Sequence, residues 1–324
     1  MAKQFPQHSD AWFSALVEHS SDLIIVLDEQ AVVVYANPAA EEFFGISLDD
    51  SLGEPAERFI DVDNIEQLLI HHDQLVRSPG ATHEDTVRIV TAGGEPSTLE
   101  TVATNYLHHP DVGGIVINGR DVTDRNTYME RLEESFDAVT VAIANALDQR
   151  DPYTAGHQRE VAYIAVAIAR ELGLPDDDVK GIEVAATLHD IGKIGIPAEI
   201  LSRPGRLSAT EFELIKTHAK AGSEIVSDVQ FPWPVATMIL QHHERLDGSG
   251  YPDGVSRDAI LIGSRIISVA DVLSAMSAHR PYRSALGVEA ALDTLEHNRG
   301  LLYDADAVDA CKRLIRQERI HIRR

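Results

Sequence analysis

LHDIGKIGIP, residues 188–197, is the stretch on which the reading of the C-terminal half turns. His189 and Asp190 stand side by side where the apolar run 184–188 ends, and Gly192-Lys193 follow at once. An adjacent imidazole and carboxylate can bind one metal ion together, and the second carboxylate oxygen can reach another. Further candidates lie outward from this pair. His157 is on the preceding helical segment, His218 is inside the helical stretch 210–226, His242-His243 follow the apolar run 235–240, and Asp271 follows the run 266–270. One histidine on an apolar helix face is more often a satisfied core residue than a ligand. Five histidines and two aspartates, each beside a core-facing run, are another matter. Buried without a shared partner, such groups would cost about 1–3 kcal/mol apiece, whereas metal ions satisfy them together. Beyond residue 150 the apolar periods and the Gly and Pro stops are helical throughout, with no strand alternation.

Three more stretches surround these ligands: RDPYTAGH at 150–157, HHERLDGSGYPDG at 242–254 and RPYR at 280–283. With LHDIGKIGIP they closely resemble the HD-GYP phosphodiesterases, a branch of the HD hydrolase superfamily, in that family's order and spacing over about residues 137–324. The resemblance implies an all-α HD-type domain that linearises cyclic di-GMP to pGpG and carries it on to GMP. It implies His157, His189, Asp190, His218, His242, His243 and Asp271 as metal ligands, Asp190 bridging two divalent ions, and Lys193 beside the bridge as a catalytic cation. A histidine and carboxylate donor set without cysteine suits iron or manganese. For the substrate, Gly248, Gly250 and Pro252 shape a tight loop around Tyr251, and Arg280 and Arg283 offer forked donors to phosphate oxygens. Two positions depart from the pattern. Some members carry a glutamate four residues before the first ligand histidine, which helps to hold a third ion; Tyr153 stands here, so two ions are expected. The usual second aspartate, three residues after the last ligand, is Ser274. Competing readings are a catalytically weak cyclic dinucleotide-binding effector, opposed by the complete ligand motifs, and a phosphodiesterase for another cyclic dinucleotide.

The N-terminal half reads as mixed α/β. Apolar, β-branched runs at 23–27 and 32–35 flank a polar turn, Asn37-Pro38 opens a short helix that Gly45 stops, and a longer helical pattern covers 63–76. Strand-like runs follow near 86–90, 98–106 and 114–118, with Gly93-Gly94 as one of the turns. This order, with YANPAAEEFFG at 35–45 and GRDVTDR at 119–125, resembles a PAS domain over about residues 11–124. The expected architecture is therefore two domains: a PAS-like α+β sensor with a five-stranded antiparallel sheet at 1–124, a connecting helix at 125–147, and the helical HD domain at 148–324. Along the connector Met129, Leu132, Phe136, Val139, Ile143 and Ala146 form a heptad seam. It reads either as an amphipathic helix lying on one domain or as the contact of a homodimer. The sensor's ligand is open: no cysteine serves a flavin photosensor in this half, and His83 lies near the axial position of haem-binding PAS domains. The plainer reading of His83 is an exposed loop residue beside Glu84 and Asp85.

A formal charge of −24 argues against polymeric nucleic acid as a partner. The longest apolar run, 161–169, is far short of the roughly 18 residues of a membrane span. A single cysteine, Cys311, and a start without an apolar signal core make the cytoplasm the expected location.

Overall fold

A computed structural model of the chain describes residues 9–59, 62–90, 96–150, 156–203, 205–277 and 287–322. It divides into two units, Met1–Glu133 and Glu134–Arg324. The first runs α1 (Asp10–Glu18), β1 (Leu23–Leu27), β2 (Val33–Ala36), α2 (Pro38–Phe44), α3 (Leu48–Ser51), a 3-10 turn (Ala56–Phe59), α4 (Val62–Val76), β3 (Thr82–Val90), β4 (Pro96–Asn105) and β5 (Ile115–Asp121). Its strands form one antiparallel sheet in the order β2-β1-β5-β4-β3, the expected five-stranded fold.

Asn37 holds the first half of this unit together. Its Oδ1 accepts from the Ala40 N–H at 3.1 Å and so caps α2, while Pro38 presets the first helical φ and Gly45, at φ +66°, closes the end. The same oxygen accepts from the Ile24 N–H at 2.9 Å, and Nδ2 donates to the Asp22 carbonyl at 3.0 Å. One fully buried amide thus ties helix α2 to strand β1. Leu23, Ala36, Ala40, Val87, Ile89 and Leu99 pack between the sheet and the helices, beside a cavity of about 160 Å³. Strand β3 begins at Thr82 rather than near 86, which makes His83 a strand residue, not a loop residue. The Gly93-Gly94 turn lies outside the described residues.

The division between the units falls inside the long helix α5 (Thr123–Arg150). Then follow α6 (His157–Glu171), α7 (Asp176–Leu188), a 3-10 turn (Ile191–Gly195), α8 (Ala198–Leu201), α9 (Ala209–Val226), α10 (Val235–Gln241), a 3-10 turn (Arg257–Ala259), α11 (Ile262–Ser277), α12 (Val288–His297) and α13 (Ala305–Arg316). Helix periodicity builds the core: Val161, Ile164, Ala165 and Ile168 of α6 meet Val184, Ala185 and Leu188 of α7 and Ile266, Ile267, Ala270 and Leu273 of α11. Each fully buried Ile or Leu contributes about 1.5–3 kcal/mol. Small residues let the helices approach: a Cβ on Gly263 of α11 would lie 2.2 Å from Sδ of Met238 on α10. Among the described residues no helix is long and apolar enough to cross a membrane.

Helix α5 carries two stripes. Thr140, Ala144 and Leu147 are buried, and Asp137 takes a 2.7 Å ion pair from Lys180. The seam read from the sequence is the neighbouring stripe. Met129, Leu132 and Val139 are 50%, 54% and 58% exposed, while Phe136 meets the Phe231 ring edge-on at 6.2 Å.

Cys311 of α13 is wholly buried, and that burial pushes its thiol up to about 12. A raised thiol pKa keeps the proton on sulfur at neutral and mildly alkaline pH. The native chain is expected to show no reaction with an aromatic disulfide reagent at pH 8 and one thiol per chain after denaturation, followed by absorbance of the released thiolate.

Candidate metal centre

The centre begins with two helix ends. His189 follows the last residue of α7 and His242 the last residue of α10, where a helix leaves carbonyls without intrahelical donors. Each imidazole turns back onto such a carbonyl: His189 Nδ1 lies 2.6 Å from the Ala186 oxygen and His242 Nδ1 2.6 Å from the Ile239 oxygen. On α9, His218 Nδ1 lies 2.7 Å from the Ile215 oxygen. A carbonyl can only accept, so Nδ1 carries a proton in all three, and in the neutral ring Nε2 is the nitrogen with the lone pair. His157, the first residue of α6, reaches the same state differently. Ser274 Oγ donates to Glu160 at 2.5 Å and therefore accepts from His157 Nδ1 at 2.9 Å.

The Nε2 atoms and the carboxylates converge. His157 Nε2 faces Asp271 Oδ1 at 3.1 Å, and His218 Nε2 faces His242 Nε2 at 3.2 Å. His189 Nε2 is buried without a hydrogen-bond partner. Asp190 directs Oδ2 to His189 Nε2 and Oδ1 to His218 Nε2, each at 3.4 Å. Lone pairs opposed at such distances need a proton or a cation between them. Ligand atoms of His157, His189 and Asp271 lie within 4.8 Å of one another, as do those of His218, His242 and His243, and those of His189, Asp190 and His242. The seven ligand candidates therefore share one pocket, and their donor chemistry fits divalent metal.

Electrostatics keeps the donors in the required forms. Burial drives His218 down, His242 well down with the neighbouring His243 adding to it, and His243 down to about 3, so these three are neutral imidazoles at pH 7. Burial opposes the charge on Asp190, but Lys193 and the surrounding imidazoles outweigh it and hold the carboxyl well below its ordinary range. Asp271 behaves alike, with burial opposed by contact with His157. Lys193 Nζ sits 2.6 Å from Asp190 Oδ2.

Backbone approach explains the glycines. A Cβ on Gly192 would lie 2.0 Å from the His218 carbonyl oxygen and 2.5 Å from the Gly222 nitrogen, so the turn after Asp190 rests directly on α9. A Cβ on Gly250 would lie 2.5 Å from the Arg245 nitrogen. Its absence lets the 248–254 loop fold onto the turn after His243, where buried Glu244 accepts from the N–H groups of Asp253 at 2.8 Å and Gly254 at 3.1 Å. The Tyr251 ring then lies 4.7 Å from the His243 ring. Arg280, Arg283 and Tyr153 lie outside the described residues.

Comparison with known proteins agrees with this geometry. The HD domain family model matches residues 142–307. The chain belongs to the HD domain family. A PAS fold model matches residues 17–127, and the N-terminal unit has that fold. Over 187 residues the chain is 41% identical to the cyclic di-GMP phosphodiesterase response regulator RpfG of Xanthomonas campestris pv. campestris (strain 8004), covering 57% of this chain and 50% of that one. A cyclic di-GMP phosphodiesterase of Thermotoga maritima is 41% identical over 184 residues, covering 56% and 50%. The 3'3'-cGAMP-specific phosphodiesterase 3 of Vibrio cholerae is 38% identical over 185 residues, covering 57% and 40%. The chain spans about half the length, or less, of these curated relatives.

Three contributors to the HD unit escaped the sequence reading. Glu160 follows His157 by one helical turn, a spacing that could have flagged it, but its hydroxyl partner is on α11. Glu244 was legible only as part of the HHE string, and Gly222, one turn after His218, only as a helix-interior glycine. Ser274 is accounted for by the structure: it relays His157 to the Glu160 carboxylate. Replacing it by alanine leaves both partners short of a hydrogen bond. Ser274→Ala is expected to weaken metal binding about ten- to a hundredfold and to cost about 1–3 kcal/mol of stability. Ser274→Asp is expected not to restore binding, since it sets a second carboxylate against Glu160. Chelator competition and thermal unfolding of the two variants check both statements.

Proposed function

We propose that the HD unit is a two-metal phosphodiesterase that hydrolyses cyclic di-GMP to pGpG and onward to GMP, with the PAS unit as its regulator. The observation that carries this reading is the convergence of lone pairs on both sides of Asp190, whose two oxygens face different histidines. His157, His189, Asp190 and Asp271 would hold one divalent ion, and Asp190, His218, His242 and His243 the other. The cysteine-free donor set favours iron or manganese. Bound there, the pair would polarise a phosphoryl oxygen and acidify a water for in-line displacement.

The chain's own groups then orient and neutralise. Lys193, held on Asp190, keeps a positive charge beside the phosphoryl position and can protonate the leaving oxygen. Burial raises the Tyr251 phenol, so its ring stays neutral and offers an aromatic face to a base. Lys216 Nζ lies 5.6 Å from the centre of that ring and adds positive charge at the same loop. Arg280 and Arg283 are the expected phosphate donors from the RPYR stretch. Two relatives named for cyclic di-GMP are 41% identical, against 38% for one named for cGAMP, which supports cyclic di-GMP as the substrate. The single, buried cysteine fits a cytoplasmic enzyme.

His189→Ala/Asp190→Ala removes a histidine donor to one ion and the carboxylate shared by both. Turnover is expected to fall to background and metal content to drop by more than one ion per chain, measured after anaerobic loading with ferrous iron or manganese. The wild-type chain assayed on a panel of cyclic dinucleotides is expected to linearise cyclic di-GMP fastest. Binding without turnover would instead make the unit an effector.

The PAS unit would act through a homodimer formed along α5. Its support is the exposed stripe Met129, Leu132, Val139 and Ile143, which runs beside the stripe buried on the HD unit. Phe136 is the poorer probe, because it also touches Phe231. Val139→Arg is expected to shift the chain toward monomer in light scattering and to change the basal rate at constant metal content; a dimer with identical kinetics would make the helix a packed spacer.

A further inference from the structure

The inward face of strand β3 carries two polar residues where a sheet normally packs its core. Alternation along the strand puts His83, Asp85, Val87 and Ile89 on that face, and Val87 and Ile89 are 4% and 3% exposed. Helix α4 lies over it and repeats the pattern: Leu68, His71 and Leu75 follow one another at helical spacing, and all three line the cavity of the unit. Two histidines and an aspartate thus occupy core positions of two different elements and meet at one wall of a largely apolar cavity.

Their contacts are those of ligands. His71 Nδ1 lies 2.9 Å from Asp85 Oδ2, His83 Nε2 lies 3.0 Å from His71 Nδ1, and His83 Nε2 lies 3.9 Å from Asp85 Oδ2. The other carboxylate oxygen, Oδ1, accepts from the Thr86 N–H at 2.8 Å, which turns Oδ2 toward the histidines. The three side chains are partly exposed, 20%, 24% and 37% for His71, Asp85 and His83, and a single hydrogen on His71 Nδ1 is all that lies between two acceptors. His71 Nδ1 holds one proton at most. Directed at Asp85, that proton leaves the contact with His83 without a hydrogen of its own from His71. If His83 donates instead, the lone pair of His71 faces a carboxylate oxygen at 2.9 Å. A cation resolves all three contacts at once. The point equidistant from the three atoms lies about 2 Å from each, the bond length of a first-row divalent metal to imidazole nitrogen or carboxylate oxygen. Histidine and carboxylate donors select such metals over calcium or magnesium.

We propose that the PAS unit binds one divalent transition-metal ion through His71 Nδ1, His83 Nε2 and Asp85 Oδ2. Three protein ligands leave coordination positions for water or for a small donor molecule that enters the cavity. The proposal is independent of the phosphodiesterase reading, since it involves none of the HD residues. It also replaces the sequence-based choice between a haem ligand and an exposed loop for His83.

The test uses the full-length chain loaded with zinc and freed of excess metal. Anomalous diffraction at the zinc edge is expected to place a peak among His71, His83 and Asp85, separate from those in the HD unit. Asp85→Asn, close in size, and His83→Gln are each expected to lower the zinc content by one ion per chain, with the zinc at the HD histidines retained. A map with zinc at the HD histidines and none at this triad would overturn the proposal whether or not the variants fold. So would unchanged zinc content in folded Asp85→Asn, or a Soret band in the purified chain that is lost with His83.

Discussion

His189, His218 and His242 each donate Nδ1–H to the carbonyl three residues earlier, and the centre follows from those hydrogen bonds. With Nδ1 committed, every Nε2 points into the same pocket as an acceptor, and burial holds His218 and His242 neutral. An apolar core would not tolerate such a set. Each lone pair withdrawn from water without a partner costs about 1–3 kcal/mol, and here they face one another. The geometry also constrains the helices. Because α7 ends at Leu188 and α10 at Gln241, their last carbonyls are free to orient the imidazoles that follow. Ending a helix and orienting a ligand are the same event at both places.

That coupling explains why the candidate ligands stand out in the sequence. His189-Asp190 and His242-His243 announce themselves because each pair sits where an apolar helical run stops, a local signal. The relay through Ser274 is not local. His157 and Ser274 are 117 positions apart and Glu160 lies on yet another turn, so the serine reads in isolation as a lost aspartate. The sheet gave the opposite difficulty. Its strands are legible as β-branched runs, but the start of β3, Thr-His-Glu-Asp-Thr, has no apolar alternation, and His83 reads there as a loop residue. The strand exists there because β4 pairs with it through Thr82 and Thr104, a tertiary fact.

Helix α5 shows how two readings of one pattern can both be partly right. The heptad seam and the buried stripe Thr140, Ala144 and Leu147 lie on adjacent faces of the same cylinder. The heptad pattern fits both a helix lying on one domain and a helix pairing with its twin. The structure assigns the first role to one stripe and leaves the second stripe exposed, so a second contact would not compete with the first. Phe136, packed edge-on against Phe231, stands at the border of the two.

The loop at 248–254 is tied to the same histidines by contacts of its own. Gly250 lets the loop lie on the backbone of Glu244 and Arg245, and the Glu244 carboxylate then gathers the N–H groups of Asp253 and Gly254. Glu244 directly follows His243, so the residue that anchors the loop is chained to a ligand candidate. The Tyr251 ring rests at 32° to the His243 ring, 4.7 Å away. Displacing Tyr251 would therefore press on an imidazole of the centre, and moving His243 would shift the aromatic face above it. The Tyr251 ring and the His243 imidazole are, on this geometry, not separable by mutation of the loop. A variant that tests the aromatic face alone must leave Gly250 and Glu244 in place and remove the ring, as Tyr251→Leu does.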